Sequence, residues 1–144
     1  MVEINDEHAI ARMLGQCHTI AVVGMSASPE RDSYQVARYL QSHGYRIVPV
    51  NPTYSGELIL GELCHPSLYA AAEKLEPAGQ KIDLVDCFRR ADAMDAIADA
   101  AIDIGAQCLW MQLGVVNQAA AAKARAAGLQ VVMDRCIKIE HAYR

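Results

Sequence analysis

A chain of 144 residues is long enough to bury a core without disulfide or metal staples. Hydrophobic residues make up 53% of it and charged residues 21%, a globular rather than a disordered balance. Thirteen basic against seventeen acidic side chains leave a formal charge of −4, which excludes a general electrostatic pull toward nucleic acid or an anionic membrane.

The N-terminal "MVEINDEHAIARMLGQ" is acidic and mixed, without the apolar region of a signal peptide. It is expected to form a helix from an Asn5 N-cap to Gly15, with Asp6 and Glu7 in the first turn and Ile10, Met13 and Leu14 on one apolar face. "TIAVVG" follows as a short, wholly apolar strand of the kind buried on both faces of a parallel sheet. The spacing then predicts a helix over 33–44, capped by Ser33, turning Val36, Ala37 and Leu40 inward and stopped by Gly44. "YRIVPV" is the second strand, and "NPTYSG" the turn after it.

The segment 57–79 is expected to hold a short third strand and a short helix. "KIDLVDCF" is a strand ending near Phe88, and 91–105 an alanine-rich helix with Ile97, Ala101 and Ile104 on one side. "AQCLWMQL" is the next strand, Asn117 caps a helix that ends at Gly128, and "LQVVMD" is the last strand before a tail, "RCIKIEHAYR". Strand and helix alternate throughout, which predicts a single doubly wound parallel sheet with helices on both faces, one α/β domain spanning 1–144. No apolar run approaches the roughly 20 residues of a membrane span. Five cysteines at irregular spacing contain no C-x-x-C pair, which points away from a zinc site or disulfide framework and toward the reducing cytoplasm.

In such sheets ligands bind beyond the carboxyl ends of the strands. The loop after the first strand, "GMSASPERDS", has Gly24 at the turn with Met25 after it, but Ser26 and Pro29 stand where the second and third glycines of the G-x-G-x-x-G fingerprint of dinucleotide sites would be. Ser26, Arg31 and the free N–H groups of the next helix suit a phosphate; Arg31 paired with Glu30 or Asp32 is the structural alternative. The second strand ends in Asn51 and Pro52, without the acid that receives the ribose of NAD; an amide suits a ribose hydroxyl or a phosphate oxygen, and an Asn-Pro turn is the alternative. Phe88, Arg89 and Arg90 follow the fourth strand, where a ring and two guanidinium groups can stack on a purine and neutralise phosphate. One Trp and one Phe do not make a platform for several bases, and Trp110 is expected in the core or a subunit contact. Gln112 and Gly114 lie closer to the ligand edge. Cys136 stands beside Arg135 and near Lys138, a setting that favours a thiolate.

"VVGMSASPERDSYQVARYLQSHGYRIVPVNP", "DLVDCFRR", "LWMQLGVVN" and "VVMDRCIKIE" together resemble the small CoA-binding protein family, related to the N-terminal domain of succinyl-CoA synthetase α subunits. The likeness runs from about Thr19 to Glu140. It implies a Rossmann-like sheet of order 3-2-1-4-5-6 that binds the adenosine-phosphate end of coenzyme A. Gly24 and Ser26 then lie against the pyrophosphate, Arg31 meets a phosphate, and Asn51 and Pro52 border the nucleotide. Tyr54 remains beside them, while Thr53 replaces a lysine common in relatives, and Phe88 and Arg89 close over adenine or phosphate. A pantetheine arm that reached Cys136 would allow a mixed disulfide.

The phosphorylated histidine of the larger ligases belongs to a second domain for which this chain has no room. Its own histidines (8, 18, 43, 65 and 141) are scattered, and no G-x-S-x-G, H-E-x-x-H or Walker motif is present. The expected function is that of a cytoplasmic CoA or acyl-CoA carrier, sensor or regulator, without metal, nucleic-acid or membrane partners and without a catalytic apparatus of its own, in a chain open to forming a homo-oligomer. The alternatives are a nucleotide-binding subunit of a CoA ligase or transferase, and an NAD(P)-dependent oxidoreductase; for the latter, Arg46 is poorly placed to meet a 2′-phosphate.

Overall fold

A computed structural model describes residues 3–144. Five parallel strands form its sheet: β1 (Thr19–Val23), β2 (Arg46–Val50), β5 (Leu84–Cys87), β6 (Cys108–Met111) and β7 (Gln130–Val132). Their spatial order is β2-β1-β5-β6-β7. The expected order placed a further strand outside β2, and this is corrected. The segment after β2 instead folds into a separate antiparallel hairpin, β3 (Leu58–Ile59) and β4 (Glu62–Leu63), which packs Ile59 and Cys64 into the core and is tied to β2 by a bridge between Val50 and His65. Leu60 and Gly61, both at positive φ, turn the chain back so that these two-residue strands pair with each other, leaving only His65 to pair with β2.

Three helices cover each face. On one, α1 (Glu7–Gln16), α2 (Asp32–Ser42) and α6 (Ile137–Tyr143) pack over Ile20, Val22, Leu84 and Trp110; on the other, α3 (Leu68–Leu75), α4 (Met94–Asp103) and α5 (Gln118–Ala126) pack over Ala21, Val85, Leu109 and Val131. Alternate residues of each strand thus serve opposite faces, and the near-continuous apolar strands follow from burial on both sides. Among the described residues no helix is long and apolar enough to cross a membrane.

Three expectations at element ends change. The α1 cap is Asp6, whose side chain accepts from Ala9 N, not Asn5. Asn5 stands at φ 64 and clamps the end of β7, donating to Met133 O at 2.9 Å and accepting from Met133 N at 2.8 Å. Ser33 is not the cap of α2: Arg31 holds that position without a side-chain hydrogen bond, and Ser33 is buried inside the first turn. The expected tail is a helix, α6, anchored by fully buried Ile137 and by ion pairs that link Arg135 and Arg144 to Glu7 and Glu140.

Candidate functional site

The chain leaves β1 toward β2 through α2, and reaches β5 on the other side of β1 through α3. The carboxyl ends of β1 and β5 are therefore the switch point of the sheet, where loops diverge and open a crevice. Two adjoining recesses lie there. A shallow one of about 470 Å³ is bordered by Gly24, Ser26, Arg31, Asn51, Thr53 and Tyr54. A wider cleft of about 670 Å³ runs between α2 and α6, with Val36, Gln112, Leu113, Cys136 and Ile139 in its walls. Phe88, Glu30 and Asp32 border both.

Gly24 is the pivot. Its φ is +84°, and a Cβ there would lie 2.4 Å from Phe88 O and 2.9 Å from Arg89 Cδ. The carbonyl cannot swing aside easily, because Phe88 N donates to Val23 O at 2.8 Å and Gly24 N to Val50 O at 2.8 Å. Only glycine lets the β1 and β5 loops meet this closely. The stem of Arg89 consequently lies over the turn.

Beyond Gly24 the broken fingerprint has a physical explanation. Met25, at the unrestricted position after Gly24, is wholly buried in the α1–α2–α6 layer. Ser26 N donates to Ser33 Oγ at 2.9 Å, and Ser26 Oγ accepts from Ser28 N at 3.0 Å, so serine hydroxyls shape the turn. Ser26 keeps its own hydroxyl proton for another acceptor. With no capping side chain, the first-turn N–H groups of α2 face the shallow recess with partial positive charge.

Arg31 and Arg89 are exposed and make no ion pair among the described residues, so the alternative of Arg31 joined to Glu30 or Asp32 is not what the structure adopts. Arg90 is paired with Asp92 at 3.4 Å and points to a different use from its neighbour. Asn51 is a brace: its Nδ2 donates to Met25 O at 3.0 Å, tying the second loop to the first, and its Oδ1 accepts from Thr53 N at 3.0 Å. Pro52 starts a 3₁₀ turn and is exposed, outside the lining of either recess.

At the floor of the wider cleft Gln112, only 4% exposed, donates through Nε2 to Asp86 Oδ1 at 2.6 Å. Asp86 is fully buried in β5 between Val22 and Trp110, and burial pushes its carboxyl up to about 7 against the opposing pull of Gln112. Asp86 went unremarked in the sequence, although a lone acid within an apolar central strand is the signal that marks it. Trp110 is wholly buried, with Nε1 donating to Arg135 O at 2.8 Å. Gly114 is exposed and outside both recesses. Cys136 is half-buried in the cleft wall, but the Arg135 guanidinium is engaged by Glu7 and Glu140, and Lys138 Nζ sits 5.6 Å from the centre of the Tyr39 ring. The expected cationic setting of the thiol is therefore largely committed elsewhere.

Residues 18–142 match the model of the CoA binding domain family. The chain is 35% identical over 133 residues to the YneT protein of Bacillus subtilis (strain 168), covering 92% of each. Two solved structures are similar along nearly the whole chain. A protein from Pyrococcus horikoshii OT3 is 34% identical with a TM-score of 0.84, covering 99% of this chain and 96% of that one. A protein from Thermus thermophilus is 31% identical with a TM-score of 0.84, covering 96% and 98%.

Proposed function

The chain belongs to the CoA-binding domain family, and from that premise we propose that the double recess at the switch point binds coenzyme A or an acyl-CoA by its adenosine-phosphate end. The observation that carries the reading is the pair of guanidinium groups without carboxylate partners among the described residues, Arg31 and Arg89, flanking a glycine turn that no side chain can fill. Arginine forks suit phosphate oxygens, and the uncapped start of α2 adds N–H donors. In this reading Gly24 and Ser26 lie against the pyrophosphate, Arg31 and Arg89 neutralise phosphate, and Phe88 covers the adenine. Tyr54 and Asn51 form the outer wall, with Pro52 behind them starting the turn. The absence of an acid at the end of β2 favours CoA above NAD, whose ribose is ordinarily received there by a carboxylate. Such a protein acts as a carrier, sensor or regulator of the CoA pool.

Calorimetric titration with CoA, dephospho-CoA, NAD and ATP tests it. The expected result is tightest binding of CoA, weaker dephospho-CoA and little NAD. NAD binding that exceeds CoA binding, or no CoA binding at all, overturns it.

A further inference from the structure

Two cysteines face each other. Cys17 closes the end of α1 and Cys108 opens β6, and their sulfurs approach to 3.8 Å within the core beneath α1, 91 residues apart in the chain. The other thiols are placed differently. Cys64 and Cys87 donate to the backbone carbonyls of Asn51 and Val85, and Cys136 lies in the wall of the α2–α6 cleft. Both Cys17 and Cys108 are free thiols. A disulfide is about 2.05 Å long, so each sulfur has to travel only roughly 0.9 Å to close one.

The pair is buried but lies just under the surface. Cys17 is 3% exposed and Cys108 2%, which shuts out bulky reagents. Their chain neighbours Gln16, His18 and Gln107 are exposed, and Gln16 and Gln107 border one recess of about 420 Å³ at the amino ends of the strands. Solvent therefore comes within one residue of each sulfur, close enough for a small oxidant. The two thiols also differ. A hydrogen bond from the Cys108 thiol holds Cys17 below its ordinary value, against burial and the Asp83 carboxylate, and the same bond holds Cys108 above its own. Cys17 is thus the nucleophile of the pair and Cys108 the resolving thiol.

We propose that Cys17 and Cys108 are a redox modification site, a dithiol that hydroperoxides convert to an intramolecular disulfide staple and small dithiols reopen. Cys17 Sγ attacks the terminal peroxide oxygen as the O–O bond breaks. The departing oxygen takes the thiol proton, leaving Cys17 as a sulfenic acid. Cys108 Sγ then attacks Cys17 Sγ; the S–S bond forms, the S–O bond breaks, and hydroxide leaves with the Cys108 proton as water. Two thiols are oxidised while one hydrogen peroxide is reduced to two waters. The staple ties the end of α1 to β6 at the opposite ends of the strands from the CoA recesses, and the proposal does not depend on the CoA reading.

The test is peptide mapping of the folded, reduced protein after treatment with hydrogen peroxide, with remaining thiols blocked by iodoacetamide and the digest run without reductant. The expected result is the loss of two hydrogen atoms in the intact mass and a cross-linked peptide joining Cys17 to Cys108, both reversed by dithiothreitol. The oxidised form should melt about 5–10 °C higher, because the bond closes a long loop of the unfolded chain. Cys136→Ser keeps the cross-link and the shift, whereas Cys17→Ala and Cys108→Ala lose both. The map of the unaltered chain decides the matter even where these core variants fail to fold. A cross-link between any other pair, oxygen added to Cys17 without a cross-link, a cross-link that forms only after urea has unfolded the chain, or an oxidised form that melts no higher overturns the proposal.

Discussion

Gln112 Nε2 meets Asp86 Oδ1 at 2.6 Å, and that single bond is all the compensation a fully buried carboxyl receives. Its other oxygen is unsatisfied, so the charged form is penalised and the acid titrates near 7 in place of its ordinary 3.8. A group raised in this way adds stability that is fully present below about pH 4 and is lost as pH rises through 7. The interval from 3.8 to about 7 corresponds to roughly 4 kcal/mol. Asp86→Asn keeps an oxygen to accept from Gln112 and removes the charge. It is expected to raise the melting temperature by several degrees at pH 8, by less at pH 5, and to change it little at pH 3.5, below the ordinary value of the carboxyl. An effect equal at all three pH values would mean that Asp86 does not titrate in this range.

The close approach of Gly24 to Phe88 makes the second prediction. In Gly24→Ala the new methyl would sit 2.4 Å from a backbone oxygen that is pinned by the β1–β5 ladder, at a φ that alanine resists. The expected loss is about 2–4 kcal/mol in urea unfolding. CoA affinity should fall as well, measured on the folded fraction at low temperature, because the turn under the proposed pyrophosphate must open to make room.

The alternation of strands and helices was legible because its cause is local: apolar strands need cover on both faces, and each helix begins and ends on recognisable residues. Gly24, Arg31, Phe88 and Arg89 were legible as a group for a related reason, since every loop after a parallel strand emerges on one edge of the sheet. What escaped depended on distant partners. Nothing near Leu58 or Leu63 states that they would pair with each other instead of with Val50, and that choice set the strand order. α6 looked like a tail because its support comes from Glu7, more than a hundred residues away. Asn5 has the composition of a cap, but its amide matches the backbone of Met133, and the cap fell to Asp6. The amide of Asn51 finds its partners in two different loops, at Met25 and Thr53, which the residues beside it do not announce.

That Asn5 clamp is separable from the site. Asn5→Ala removes both hydrogen bonds to Met133 and leaves a non-glycine residue at φ 64. About 1–3 kcal/mol of stability should be lost. Asn5→Gly relieves the backbone strain without restoring the bonds, so it should recover only part of the loss. Full recovery with glycine would show that strain, and not the clamp, sets the cost.

The charges around the shallow recess conflict, and the conflict is informative. Arg31 in the shallow recess and Arg89 in the adjoining cleft stand against Glu30 and Asp32, which border both. A phosphate entering the shallow recess is drawn by the Arg31 guanidinium and the start of α2, with Arg89 next door, and repelled by two carboxylates. Thr53, exposed on the rim, contributes no charge of its own. Arg31→Ala removes a charged hydrogen bond and should weaken CoA by about 1.5–3 kcal/mol. Glu30→Gln and Thr53→Lys act in the opposite direction. Each changes a solvent-exposed interaction, so each should tighten CoA by only about two- to fivefold, with the gain fading as salt is raised. Both titrations belong at low and at high ionic strength. Gains that persist at high salt would argue for direct contact with the phosphate, and no gain from either would place the phosphates away from the Arg31 side of the recess.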